Sequence, residues 1–165
     1  HYLALYNFAN TFGAQGKYEE AIRYYRQAIE QRPDYLDAYN NLGNMFLKLG
    51  RTAEATAEYE KAIKIDPNDA DAHAALGRLF LKHGFVVEAE PRLRRAVELS
   101  PENLEALELL AKLCAETGRR DEVGAIMERA IQIARRRGNE KLVADFQQTR
   151  QQLLAAPASR PATSR

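Results

Sequence analysis

A single interval governs this chain. Gly16, Gly50, Gly84 and Gly118 stand 34 residues apart, and Ala28, Ala62, Ala96 and Ala130 keep the same spacing. Phe12, Phe46 and Phe80 form a third column with Cys114 in the last place. Pro33, Pro67 and Pro101 form a fourth, which Arg135 breaks. Chance does not align so many columns at one period, so the chain reads as four units spanning 2–35, 36–69, 70–103 and 104–137.

Each unit reads as two helices. Over Leu36 to Leu49, the residues Tyr39, Leu42, Met45, Phe46 and Leu49 recur at three- and four-residue steps, an apolar stripe on one helical face. Gly50 then ends the helix, because glycine adopts the left-handed conformation that a helix C-terminus commonly requires. Ala55, Tyr59, Ala62, Ile63 and Ile65 give the second stripe, which Asp66-Pro67 closes, since proline disfavours helical geometry in its predecessor. Asn68 and Asp69 offer capping oxygens to the next helix. Alanines at 55 and 62 let helix backbones approach, while Tyr39, Leu42, Phe46 and Tyr59 fill the space beside them. One pair cannot bury its apolar face alone, so neighbouring units stack.

The run Ala38-Tyr39-Asn40-Asn41-Leu42-Gly43-Asn44, followed by Gly50, Ala55, Tyr59, Ala62 and Pro67, resembles the tetratricopeptide-repeat signature almost column for column over about Tyr2 to Arg137. The resemblance implies an all-α fold, a right-handed α-α superhelix (a solenoid) of antiparallel helix pairs. Departures are local. Ala9 and Ala111 stand where the family often has glycine, and Val123 followed by Gly124 replaces a small residue, which should hold that helix pair slightly apart. Pro91 falls early in a second helix and is expected to bend its first turn.

Gly138-Asn139 begins a last helix over 138–155, whose Leu142, Val143, Phe146, Leu153 and Leu154 would cap the exposed end of the array. The tail 156–165, with two prolines and several Ala and Ser, is expected to be disordered. The chain opens on His1-Tyr2-Leu3 without an initiator Met or a basic-then-apolar leader, and no cap precedes Tyr2. It therefore reads as a piece of something longer, with more repeats or another domain upstream. The compartment stays open between cytoplasmic and periplasmic.

Chemistry is sparse. The net charge of +1 gives no pull toward a polyanion, and the basic run Arg135, Arg136 and Arg137 reads as a solvated face. No apolar run is long enough to span a bilayer. Cys114 is the single cysteine, in a core column, which excludes an internal disulfide. His1 is terminal, His73 shares the packing column of Leu5, Tyr39 and Leu107, and His83 sits at a helix end, so no metal-ligand spacing arises. Every glycine is explained by a helix end or a close approach, leaving no phosphate loop. The reading is a non-enzyme with no cofactor and no metal.

In the family, the first helix of each pair lines the concave face. Carried over, the partner-facing positions are Leu3, Tyr6, Asn7 and Asn10; Asp37, Asn40, Asn41, Asn44 and Lys48; Asp71, Ala74, Arg78 and Lys82; and Glu105, Glu108 and Lys112. Spacing alone also puts Asp37, Asn40, Asn41, Asn44 and Lys48 on one face, opposite Leu42 and Phe46. Asparagine presents a donor and an acceptor and can grip a peptide backbone, yet it is equally usual there for structural reasons. A two-carboxylate clamp for chaperone C-termini is disfavoured, because Tyr6, Asp71 and Ala75 stand where its cations would be. The leading expectation is a protein-interaction module holding a peptide or protein segment in its groove. The alternatives are a scaffold that self-assembles into a homo-oligomer through the uncapped N-terminal repeat, or the substrate-recognition arm of a larger enzyme such as a glycosyltransferase. Nucleic acid and direct membrane insertion are not expected.

Overall fold

The computed structural model describes residues 1–155; the tail 156–165 lies outside the described residues. The described residues form nine α-helices and no strand: α1 Tyr2–Ala14, α2 Tyr18–Gln31, α3 Leu36–Lys48, α4 Thr52–Ile65, α5 Ala70–Lys82, α6 Val86–Leu99, α7 Leu104–Glu116, α8 Arg120–Arg136 and α9 Glu140–Ala155. They fall into two compact units, His1–Leu79 and Phe80 onward, with the boundary inside α5.

The turns repeat as the sequence does. Gly50 lies at φ +74°, and the N–H of Arg51 reaches back to the Phe46 carbonyl at 2.9 Å. Lys17 to Phe12, Phe85 to Phe80 and Arg119 to Cys114 make the same bond at 2.8–2.9 Å. This closure satisfies a carbonyl that the helix end would leave unpaired. Helices α2, α4 and α6 each stop two residues before Pro33, Pro67 and Pro101. Where Arg135 replaces that proline, α8 runs on to 17 residues.

In the first unit, α1 packs on α2, α2 on α3, and α3 on α4. Its core is Ala9, Ala21, Ile22, Tyr25, Ala28, Leu42, Phe46, Ala55, Tyr59 and Ala62. The approach at Gly43 is close: a Cβ there would lie 2.7 Å from Cε1 of Tyr59. Arg51 caps the ring of Phe46, its guanidinium 4.7 Å from the ring centre, while pairing with Glu54 and Glu19. Asp69 is the cap of α5, its Oδ1 accepting from the N–H groups of Asp71 and Ala72 at 3.0 and 3.2 Å.

In the second unit, α7 packs between α6 and α8, and α9 lies on α8 with a smaller contact to α7. Leu93, Leu107, Leu110, Leu113, Cys114, Val123, Met127 and Ile131 are buried here, and α9 contributes Val143 and Phe146. Asn139 caps α9 through Leu142 N–H at 3.0 Å. Pro91 sits within α6 without ending it. The helical bond it cannot donate is the one to the carbonyl of Val87, a residue on the exposed side of α6. An ion-pair network ties α6 to the start of α8: Glu90 accepts from Arg94 and from both terminal nitrogens of Arg119, and Arg94 also reaches Glu122 at 2.7 Å. The Arg119 and Arg94 guanidinium groups hold the Glu90 carboxyl below the ordinary value of 4.5, and Arg94 does the same for Glu122.

Two expectations follow from this packing. Gly43→Ala should cost about 1–3 kcal/mol of unfolding free energy by urea titration, because the new methyl meets the Tyr59 ring. Gly124→Ala has open space around it, and on a helix it should stabilise by roughly 0.5–1 kcal/mol. Acid should also loosen the second unit. Carboxylates with lowered folded pKa values contribute stability that is complete above the unfolded value near 4.5 and is lost as pH falls through the folded one. The thermal midpoint should therefore drop on acidification below that value, and Glu90→Gln should flatten the drop.

Candidate functional site

The polar side chains that the sequence assigned to a partner face gather most densely across α1 and α3, in the first unit. Three of them, Tyr6, Asn10 and Asn41, are joined by hydrogen bonds, and a fourth, Asn44, is bonded separately to a core tyrosine. Asn41 Nδ2 donates to Tyr6 Oη at 2.9 Å and to Asn10 Oδ1 at 3.3 Å. Asn10 Oδ1 also accepts from the hydroxyl of Tyr25, on α2, at 2.5 Å. One pair further along, the hydroxyl of Tyr59, on α4, donates to Asn44 Oδ1 at 2.7 Å. Asn10 and Asn44 are 34 residues apart, as are Tyr25 and Tyr59, so one arrangement is built twice.

The tyrosine rings are core residues and their hydroxyls are the polar tips of that core. Tyr25 is almost fully buried, and burial, then the neighbouring Tyr6, pushes its phenol up to about 12. Tyr6 is the centre of an aromatic cluster, its ring 5.0 Å from Tyr35 and 5.8 Å from Tyr25. Tyr2 meets Tyr35 edge-on at 5.1 Å, and the Arg32 guanidinium lies 5.0 and 5.5 Å from these two rings while donating to Tyr2 Oη at 2.7 Å.

The other candidates are placed as follows. Asn40 donates to Asp69 Oδ2 at 2.6 Å, and its own Oδ1 is buried, so its amide is turned into the fold. Asn7, Asp37 and Lys48 are exposed, as is Leu3. Asp71 is exposed beside the α5 cap, Ala74 is buried and Arg78 is half-buried. In the second unit Lys82 and Glu105 are exposed, and Lys112 is paired with Glu108 at 2.6 Å. Tyr25, Tyr59, Tyr2, Tyr35 and Arg32 were not among the sequence candidates. A signal for the first two was present: where the tyrosine column changes to Leu93 and Met127, the asparagine column changes to Arg78 and Lys112.

No cluster among the described residues has the makings of a metal site, and no described helix is long and apolar enough to cross a membrane. The Cys114 thiol is buried, and that burial raises its pKa, which keeps it protonated and a poor nucleophile. His73 is buried with Nε2 on the Pro67 carbonyl at 3.1 Å, a packing role.

Three tetratricopeptide-repeat family profiles match the chain, over residues 6–70, 58–90 and 80–156. The chain belongs to the tetratricopeptide-repeat family. Among solved structures it is similar to the first tetratricopeptide-repeat domain of Spaghetti (RPAP3) bound to the HSP90 peptide SRMEEVD. That likeness has 27% identity and a TM-score of 0.65, and covers 68% of this chain and 89% of that one. It is also similar in fold to YrrB, described as a tetratricopeptide-repeat protein with an unusual peptide-binding site, at 23% identity and a TM-score of 0.69 over 93% and 86% of the two chains. The helical make-up of the described residues and these likenesses agree on an all-α tetratricopeptide-repeat solenoid for this chain. No match was found among curated proteins.

The buried phenol makes a measurable prediction. A tyrosine whose folded pKa is raised holds its proton longer in the folded state, so folding stability should fall as pH rises from 10.0 toward about 12. Ultraviolet titration should place Tyr25 among the late-ionising tyrosines, and Tyr25→Phe should remove its share of that phase and of the alkaline loss.

Proposed function

We propose that this chain is a non-catalytic protein-interaction module whose first unit holds a polypeptide segment along α1 and α3. The observation that carries the reading is an uncharged, half-exposed strip in which Tyr6, Asn10 and Asn41 are bonded together and Asn44 is held by Tyr59. Such a strip can bond a peptide backbone irrespective of its side chains. The Spaghetti domain, of the same family and 27% identical, is seen with a peptide, which supports a peptide as the class of ligand here. Lys48, one turn beyond Asn44 and exposed, adds a cation at the edge of the strip.

A second reading rests on α1. Phe8 is 56% exposed, whereas Leu42, Leu76 and Leu110 in the same column are at most 3% exposed. Its ring lies 5.9 Å from Tyr24, which stacks in parallel on Phe12 at 5.2 Å. A preformed apolar edge of this kind suits pairing with another copy. Light scattering at rising concentration separates the two readings: mass growth abolished by Phe8→Glu supports self-association, and a constant monomer removes it.

For the leading reading, peptides selected from a random display library should perturb backbone NMR signals of α1 and α3. An Asn44→Ala/Lys48→Ala variant should bind the best peptide at least tenfold more weakly, about 1.4 kcal/mol. Perturbations confined to α2, α4 or the second unit, with the variant binding normally, would refute it.

A further inference from the structure

Away from the strip, and sharing no residue with it, α2, α3 and α4 border a recess of about 330 Å³. Ile29, Tyr39 and Leu42 give it an apolar floor, and the Tyr39 ring is fixed by its hydroxyl, which donates to the Pro33 carbonyl at 3.0 Å. On the α4 side, Glu58 and Lys61 satisfy each other: both carboxylate oxygens accept from Lys61 Nζ, at 2.9 and 3.0 Å. On the α2 side stand Arg26 and Glu30, both exposed, and neither has an ion-pair partner among the described residues. Four residues separate them, so they share one face of α2 about 6 Å apart along its axis.

The second unit shows how such a pair is otherwise used. Two repeats on, the same positions hold Arg94 and Glu98. Arg94 is bonded to Glu90 at 2.8 Å and to Glu122 at 2.7 Å, and Glu98 is paired with Arg95 at 3.1 Å. Around α2 each of those partners is missing or taken. Ile22 stands in the place of Glu90, Gln27 in that of Arg95, and Glu54, the counterpart of Glu122, is paired with Arg51. Arg26 is left against an aromatic ring, its guanidinium 5.6 Å from the centre of Phe46. A cation and an anion therefore stand unpaired, one turn apart, at the mouth of an apolar recess.

We propose that this recess is a second docking surface, for a protein partner that inserts one apolar side chain flanked by an acid, which meets Arg26, and a base, which meets Glu30.

The alternatives fit less well. An apolar segment without charges would cover Arg26 and Glu30 and leave them unpaired, which costs free energy. A wholly acidic segment would bring like charge against Glu30 and Glu58, and a wholly basic one against Arg26 and Lys61. Both unpaired charges sit at the rim, so they choose the partner and its direction along α2, while the buried anchor supplies most of the affinity.

The test begins with peptides selected from a random display library on the whole chain. Those weakened by Asn44→Ala/Lys48→Ala report the strip on α1 and α3, and the proposal concerns a second set that this variant still binds. Peptides of that set should share an apolar residue with an acid and a base near it, and exchanging the apolar residue for alanine should abolish binding. By calorimetry, Arg26→Glu should weaken the best of them by roughly fivefold, since reversal removes one attraction and adds one repulsion. Its melting temperature should stay close to that of the native chain, because Arg26 is exposed. The same peptide with its acid exchanged for lysine should bind Arg26→Glu more tightly than the original does, as a direct contact requires. Peptides lacking the paired charges, equal binding to the native and Arg26→Glu chains, or no rescue by the exchanged peptide would overturn the proposal. So would the absence of any second set, which would leave the reading of the strip standing.

Discussion

The contact between Gly43 and Tyr59 is the constraint on which the first unit turns. With no Cβ at 43, α3 presents bare backbone, and the Tyr59 ring of α4 lies against it; a methyl there would stand 2.7 Å from the ring. That position brings the hydroxyl to the next residue along, Asn44. Packing and polar display are therefore one arrangement. The first pair reaches the same end with Ala9 in the glycine's place, fully buried, and Tyr25 on Asn10. An aromatic ring supplies the apolar bulk that holds two helices together, and its single polar atom emerges where solvent begins.

A second pair of columns shows how one contact is remade with different chemistry. Tyr6 meets Tyr35 ring to ring at 5.0 Å, and in the next repeat the corresponding residues, Asn40 and Asp69, meet through a hydrogen bond of 2.6 Å. The exchange has a consequence for α5, because Asp69 can also cap it, which tyrosine cannot do for α3. It also explains why Asn40 and Asn41, neighbours in sequence, differ: one is spent on joining helices and the other on the exposed strip.

Most of the fold was legible because repetition supplies its own controls. The helix ends follow from Gly50 and Pro67 and their column mates, and the loss of proline at Arg135 goes with a longer α8. The last helix begins at Glu140 behind its Asn139 cap, two residues after the start at 138 read from the sequence. Orientation was not legible. Asparagine at 10, 41 and 44 suits a ligand or a structural bond equally well, and the two are separated only by knowing which hydroxyl lies behind each amide. Arg32 was likewise unremarkable in sequence, since its place between Tyr2 and Tyr35 depends on residues about 30 positions away being brought alongside. The pairing of Tyr25 with Asn10 and Tyr59 with Asn44 was available as a joint change of two columns, and it becomes readable once the two helices of a pair are known to touch there.

The most direct measurement is of the side-chain amide protons themselves. The Nδ2 signals of Asn10 and Asn44 can be assigned by NMR and followed as a selected peptide is added. The account predicts that both pairs of signals shift markedly on binding, while the late ionisation of Tyr25 stays in place, because the hydroxyl side of the amide is already occupied and the solvent side is what the peptide meets. Amide signals that stay fixed while the peptide binds elsewhere would contradict it, and would leave these asparagines as partners of the core tyrosines alone.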